Sequence, residues 1–141
     1  MSTRASIVMT DRFGDEIYFY RHSDGYPEET FEDLKKFVEG YNGKYRNSAE
    51  QSAGWLVIYG YLQNLEYYGF HPEFEQYNSW KSSVYEIATS IHGDAEWVYW
   101  IDLKEKTLKC YQYCSSYFKD YSLKMPFKEH KFATSGQGAI Y

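Results

Sequence analysis

The sequence has only two cysteines and no long apolar run. The first shortage argues against a disulfide-linked or zinc-binding protein, and the second against a membrane-spanning one. Its only two cysteines, Cys110 and Cys114, lack the CxxC spacing, and no second pair of metal ligands follows them. Two strand residues at this separation lie too far apart for a disulfide bond. We therefore expect free thiols in a reducing compartment and no zinc site.

No hydrophobic stretch approaches the roughly 20 residues that cross a bilayer, and no secretory signal opens the sequence. The 20 acidic residues outnumber the 15 basic ones, which gives a net charge of −5. Proteins that hold nucleic acid neutralise its phosphates with basic side chains, so this balance argues against a nucleic-acid partner. No cofactor motif occurs either. We expect a cytoplasmic protein with no membrane partner and no cofactor.

Aromatic residues, by contrast, are abundant: 17 Tyr, 9 Phe and 4 Trp make up 21% of the chain. Tyr and Trp join a large apolar body to a hydrogen-bonding group, which suits half-buried sheets and contact surfaces. A chain of 141 residues is typical of one domain. We assign residues 1–141 to a single domain and expect the tail from about residue 130 to be mobile unless it docks.

The order of hydrophobic patterns predicts an α+β domain. Alternating residues indicate a hairpin of two strands joined by a turn at Gly14 and, later, a three-stranded meander, while helical spacing indicates two helices between them. The predicted strands cover residues 3–10, 16–20, 84–89, 95–102 and 107–114, and the predicted helices cover residues 27–40 and 48–68. This arrangement gives an antiparallel sheet of about five strands with two helices packed on one face. Residues 41–47 are predicted to be a loop, and residues 70–80 receive no regular element.

The two helices differ in pattern. The first is amphipathic, and we assign its charged residues, including Asp33, to a solvated face. The second is apolar on nearly all sides, which predicts burial on two flanks. Gly54 and Gly60 lie inside it and each costs about 1 kcal/mol relative to Ala, so we expect a sheet or a partner chain to approach closely there.

Polar and aromatic side chains gather in two turns, Tyr20–Glu28 after the hairpin and His92–Trp97 before the strongest strand. In the hairpin register that we favour, Arg4 lies near the first turn. We expect the two turns to share one end of the sheet and to form a site for a ligand or a partner. The candidate residues are Arg4, Arg21, His22, Asp24, Tyr26, His92, Asp94, Glu96 and Trp97.

Metal and catalytic chemistry have little support in this set. Two His residues and several carboxylates are metal ligands, but no HExxH-like helical pair accompanies them. His22 beside Asp24 is suited to acid–base catalysis, but the adjacent Ser23 on a turn points elsewhere and is a poor nucleophile for that pair. We predict no metal site and no catalytic residues.

A purely structural interpretation also fits several members. Asp24 caps the turn or the following helix in this interpretation, while Gly25 and Pro27 set backbone angles. Arg21 and Glu96 then form an ion pair across strands. Against it, Arg, His and Tyr are unusual choices for a turn that only connects two elements.

Three segments carry a resemblance: Ser2-Thr3-Arg4, the run from Tyr20 to Pro27, and the run from His92 to Tyr99. Together, and in this order, they resemble a group of small proteins encoded by bacteriophages and prophages. The resemblance implies a viral accessory protein in the cytoplasm of an infected bacterium, in a class that includes inhibitors of host defence systems such as CRISPR.

Two functional hypotheses follow. In the first, the protein is not an enzyme and inhibits a host protein, such as a defence protein, through an aromatic, acidic surface; it predicts a flat aromatic patch and allows a homo-oligomer. In the second, the chain binds a small ligand or nucleotide, or is an enzyme that acts on one, in a pocket formed by residues 20–28 and 92–97, with Arg4 and Arg21 on a phosphate and Tyr26 or Trp97 stacked on a base. The net negative charge favours the first hypothesis.

Overall fold

The computed structural model gives the structure of residues 3–41, 48–68, 83–113 and 125–132. These residues form two helices and a six-stranded sheet, which confirms the α+β class with one strand more than predicted. In chain order the elements are β1 (Ala5–Thr10), β2 (Glu16–Arg21), α1 (Pro27–Tyr41), α2 (Ala49–Tyr68), β3 (Glu86–Ala88), β4 (Trp97–Asp102), β5 (Thr107–Gln112) and β6 (Lys128–Lys131).

The sheet has the order β3-β2-β1-β4-β5-β6. The β1–β2 hairpin is antiparallel, with Ala5 opposite Arg21, so the predicted register is correct. The predicted meander is wrong in one strand: β3 pairs with β2 at the far edge, and the meander is β4–β5–β6. The hairpin and the meander join through β1 and β4, which run parallel, with Ala5 beside Trp97.

The main core lies between the sheet and the two helices. Inward residues of the central strands, such as Ile7, Phe19 and Tyr99, are fully buried there against Leu34 and Leu56 of the helices. The opposite face of the sheet, here called the outer face, carries a smaller cluster around the buried residues Val8, Val98 and Tyr111. Successive side chains of β4 therefore point to opposite faces of the sheet, as the alternating pattern predicts, and both faces bury apolar side chains.

Local interactions explain where the helices begin. Pro27 occupies the first position of α1, where its missing N–H costs nothing, and Glu28 and Glu29 complement the helix dipole. Ser48 caps α2 by accepting a hydrogen bond from the Gln51 amide at 3.3 Å, which agrees with the predicted start of this helix at residue 48. The Asp11 carboxylate accepts the Ala49 amide at 2.6 Å and therefore ties the β1–β2 turn to the start of α2.

The two glycines of α2 have different surroundings. A Cβ atom on Gly60 would collide with the Ser83 hydroxyl and would lie 3.0 Å from the amide nitrogens of Val84 and Tyr85. A Cβ atom on Gly54 would contact nothing within 4 Å. The predicted close approach is therefore confirmed at Gly60, where the chain leading into β3 crosses the helix, and not at Gly54 among the described residues.

This contrast predicts opposite effects of the same substitution. Gly54→Ala should raise the free energy of unfolding by about 0.5–1 kcal/mol, because Ala has the higher helix propensity at an open position. Gly60→Ala should lower it by about 1–2 kcal/mol, because the backbone at Val84 must move, although the Ser83 side chain can rotate away. Urea unfolding of both variants measures the difference; equal effects would show that residues 83–85 do not press on the helix.

Several expectations end at the limits of the described residues. Residues 130 and 131 belong to β6, and Phe132 is buried in the main core; the mobility expected for the tail stays a prediction. The predictions for residues 42–47, 70–80, Cys114 and 133–141 lie outside the described part of the chain. Cys110 is a free, buried thiol. Neither helix, over the residues described, is long and apolar enough to cross a membrane.

Candidate functional site

The two turns share one end of the sheet. Because β1 is antiparallel to β2 and parallel to β4, the start of β1 lies between the end of β2 and the start of β4. The start of β3 lies beside the end of β2, and the start of β6 beside the end of β5. We call this end of the sheet, where residues 20–28 lie close to residues 92–97, the site end.

A cluster of polar side chains occupies the outer face of the site end. The Arg4 guanidinium donates to the Asp94 carboxylate at 3.0 Å, and the Tyr20 hydroxyl donates to the same carboxylate oxygen at 2.8 Å. The backbone supports this pairing, since the Glu96 amide donates to the Arg4 carbonyl at 2.8 Å. Asp94 thus links the second turn to β1 and β2.

Both histidines of the candidate set join this cluster around Tyr20. The His92 ring stacks on the Tyr20 ring with centroids 3.8 Å apart, and the His22 ring meets the Tyr20 ring edge-on at 4.6 Å. His22 Nε2 lies 3.1 Å from the Glu86 carboxylate of β3. We define the rim cluster as Arg4, Tyr20, His22, Glu86, His92 and Asp94.

The cluster shifts the pKa values of two of its members. Burial and the hydrogen bond to Asp94 raise the pKa of Tyr20 to about 12, so this hydroxyl remains a donor at neutral pH. Partial burial acts to raise the pKa of Asp94, but the hydrogen bond from Tyr20 and the charge of Arg4 outweigh it and lower that pKa below 3.8.

The lowered pKa of Asp94 gives a testable pH dependence. A carboxyl group whose pKa is lower in the folded state stabilises the fold above its unfolded pKa and loses that contribution as the pH falls through the folded value. We expect the Asp94 side-chain carbon to titrate below 3.8 by NMR, and Tyr20→Phe to raise its midpoint. An unchanged midpoint in Tyr20→Phe would contradict the hydrogen bond.

Arg21 is not part of the rim cluster, because it points to the helix side of the sheet. Its guanidinium donates to the Tyr85 hydroxyl at 2.8 Å and to the Ser23 carbonyl at 2.9 Å, and it lies 3.4 Å from the Asp33 carboxylate. The Arg21 and Asp33 side chains are only 8% and 12% exposed. The predicted Arg21–Glu96 ion pair is wrong, and so is the solvated position of Asp33.

Asp33 is the centre of a polar network inside the helix layer. Besides Arg21, the Tyr59 hydroxyl donates to it at 3.1 Å, and the Tyr85 hydroxyl and the Gln63 amide also donate to it. Burial, followed by the charge of Asp33, raises the pKa of Tyr59 and of Tyr85, so both remain protonated donors. Only a weak sequence pattern indicates that Asp33 is buried: on a helical wheel it lies next to the inward Phe37, at the boundary of the apolar face.

The turn between β2 and α1 has a structural role. Asp24 adopts a left-handed conformation with φ of 57°, and its carbonyl, rather than its carboxylate, accepts the Thr30 hydroxyl at 2.6 Å. The Tyr26 carbonyl accepts the first amides of α1. Gly25 is needed for close approach, because a Cβ there would lie 2.9 Å from the Ala5 Cβ. Asp24 and Tyr26 therefore position the helix through their backbones.

Two aromatic rings pack together on the helix side of the site end, and two exposed residues lie close to them along the chain or through the strand register. Trp97, packed against the core, meets the Phe127 ring edge-on at 5.1 Å. Phe127 is 62% exposed, Met125 90% and Tyr26 39%. We call Tyr26, Trp97, Met125 and Phe127 the aromatic corner. The sequence interpretation missed Met125 and Phe127, because the β6 segment KEHK has no apolar residue to mark a strand.

Three observations bear on the chemistry available to the described residues. Within the described ranges, no group of three or more His, Cys, Asp or Glu residues is placed to hold a metal ion. Burial raises the pKa of the Cys110 thiol to about 12, so it is a poor nucleophile. Arg4 and Arg21 lie on opposite faces of the sheet and do not converge on one phosphate.

Comparison with known proteins adds no relationship: the chain matches no protein-family model, and no similar protein was found among the curated proteins or the solved structures.

Proposed function

We propose that the protein is a non-catalytic binding protein that attaches to another protein through the site end of its sheet. The observation that carries this proposal is the convergence of the two turns at one edge. That end of the sheet exposes Arg4, His22 and Asp94 on the outer face and the aromatic corner on the helix side. Aromatic side chains with a few charged anchors are the usual composition of binding hot spots.

The pairing of charges within the rim cluster supports binding over catalysis. Arg4 is paired with Asp94, and His22 with Glu86, so these groups hold each other in position before any partner arrives. Pre-ordered side chains reduce the entropy lost on association. His22 Nε2 lies against the Glu86 carboxylate, and the Tyr20 hydroxyl beside the two histidine rings donates to Asp94.

The resemblance to phage-encoded proteins identifies the partner class in this proposal as a protein of the bacterial host. An accessory protein that blocks a defence protein needs only a stable surface complementary to its target. A six-stranded sheet whose site end carries the rim cluster and the aromatic corner meets that requirement.

Affinity capture from a bacterial host extract tests the proposal. The immobilised full chain should retain a host protein that mass spectrometry identifies, and the Arg4→Ala/His22→Ala variant should retain at least about tenfold less of it. The matched control, Lys104→Ala/Glu105→Ala, changes exposed residues at the opposite end of the sheet and should leave capture unchanged. Equal capture by all three proteins, or capture of nothing, would overturn the proposal.

A further inference from the structure

We infer that the partner contacts the aromatic corner with an apolar side chain surrounded by lysine and arginine residues. This inference rests on the proposed function and specifies the chemistry of the partner's surface. It follows from two observations: the corner exposes large apolar side chains, and the exposed charged groups of the site end that lack an ion-pair partner among the described residues are acidic.

The apolar part of the corner is built on ordered structure. The Phe127 amide donates to the Cys110 carbonyl at 2.7 Å, which fixes Phe127 beside the end of β5. Its ring rests on Trp97, whose other side packs against the main core. Tyr26 follows Gly25, which lies against Ala5, the register partner of Trp97. An exposed ring supported by a half-buried one is a favourable anchor for a partner's apolar side chain.

Acidic groups lie at the site end on both faces of the sheet. On the helix side, Glu28 lies in the first turn of α1; burial is the main cause that raises the pKa of the Cys110 thiol of β5, Lys128 lowers it, and Glu28 is near enough to add to the rise. The acidic residues in and around the site end outnumber the basic residues Arg4, Arg21 and Lys128; they are Asp24, Glu28, Glu29, Glu32, Glu86, Asp94 and Glu96.

The charges that remain unpaired all have the same sign. Lys128 is held by Glu32 at 3.2 Å and lies 5.0 Å from the centre of the Phe31 ring. Arg4 is held by Asp94. The exposed carboxylates of Glu28, Glu29 and Glu96 have no ion-pair partner within the described part of the chain. A basic partner would therefore be attracted to this end, whereas an acidic one would be repelled.

The opposite end of the sheet provides an internal comparison. It also exposes a large apolar side chain, Phe13 at 61%, but the Arg12 guanidinium covers that ring at 4.8 Å from its centre. Phe13 has no second aromatic residue against it among the ring contacts of the described residues. This makes Phe13 a matched control for Phe127.

NMR with defined peptides tests the inference on the intact chain. The 15N-labelled protein is titrated with a synthetic peptide of lysines around leucines, with a second peptide in which glutamate replaces lysine, and with a third in which serine replaces leucine. We expect the first peptide to shift the amides of Tyr26, Glu28, Glu29 and residues 127–128 most, and the complex to weaken as salt is raised from about 0.05 to about 0.5 M. The other two peptides should bind at least about tenfold more weakly.

Variants separate the apolar contribution from the charged one. Phe127→Ala should reduce affinity for the first peptide by about tenfold or more, and Glu28→Gln/Glu29→Gln by about 3- to 10-fold. Their controls, Phe13→Ala and Asp15→Asn/Glu105→Gln, should leave it unchanged. Thermal melts confirm that each variant is folded.

The outcomes separate the inference from the proposed function. Lack of binding by the lysine–leucine peptide, equal binding of the glutamate peptide, or shifts centred on Phe13 would overturn the basic-partner inference. None of these results would affect the capture of a host protein that depends on Arg4 and His22, which is the test of the proposed function itself.

Discussion

Replacing Asp33 by alanine should lower the free energy of unfolding by about 3–5 kcal/mol, the largest effect that we expect from any single substitution in the described residues. The substitution leaves the Arg21 guanidinium, which is 8% exposed, without its counter-charge inside the helix layer. It also removes the acceptor of the Tyr59 and Tyr85 hydroxyls. Urea unfolding followed by circular dichroism measures the loss.

Two further variants show whether the loss comes from the buried charge. The double variant Arg21→Met/Asp33→Leu should recover much of the stability, because apolar side chains of similar size often replace a buried ion pair without cost. Glu32→Ala removes a neighbouring acid whose ion pair with Lys128 is exposed, and it should cost about 1 kcal/mol or less. A loss in Asp33→Ala no larger than that in Glu32→Ala would contradict the buried network.

Replacing Gly25 by alanine should cost about 2–4 kcal/mol, because a side chain at this position collides with fixed groups of β1. The new Cβ would lie 2.9 Å from the Thr3 carbonyl oxygen and 3.0 Å from the Ala5 amide. Moving Gly25 away would strain two hydrogen bonds, from its amide to Thr3 at 2.9 Å and from the Tyr99 hydroxyl to its carbonyl at 2.6 Å. Thermal unfolding measures the loss.

The same substitution should also affect binding, since Gly25 joins the first turn to the start of β1. We expect capture of the host protein to fall even at temperatures where Gly25→Ala is folded. Gly40→Ala is the matched control: a Cβ there meets nothing within 4 Å, near the end of α1, so stability should change little or rise. Equal stability of the two variants would show that the turn does not press on β1.

The elements that could be predicted from the sequence are those that local patterns determine. The β1–β2 hairpin register follows from the short turn at Gly14, which has φ of 89°, and this register correctly placed Arg4 opposite the end of β2. The limits of α2 follow from Ser48 and the apolar run. The prediction that the two turns converge assumed a different strand order. It placed β3 next to β4, whereas in the structure β3 lies next to β2.

The features that could not be predicted depend on tertiary contacts. The parallel pairing of β1 with β4 joins residues about 90 positions apart, and no periodicity encodes it. Strand β6 has only polar residues and is recognised by its pairing with β5 alone. The sequence patterns predicted an ion pair between Arg21 and Glu96 and a solvated Asp33. Both predictions are wrong, because burial of a charge depends on a partner from another element.

Hydrogen–deuterium exchange of the protein bound to its captured host protein tests the central claim most directly. If the site end is the binding surface, complex formation should slow amide exchange at residues 22–26 and 93–97, with little change at residues 11–15 and 103–106 at the opposite end of the sheet. Protection confined to that opposite end, with residues 22–26 and 93–97 exchanging as in the unbound protein, would contradict the account.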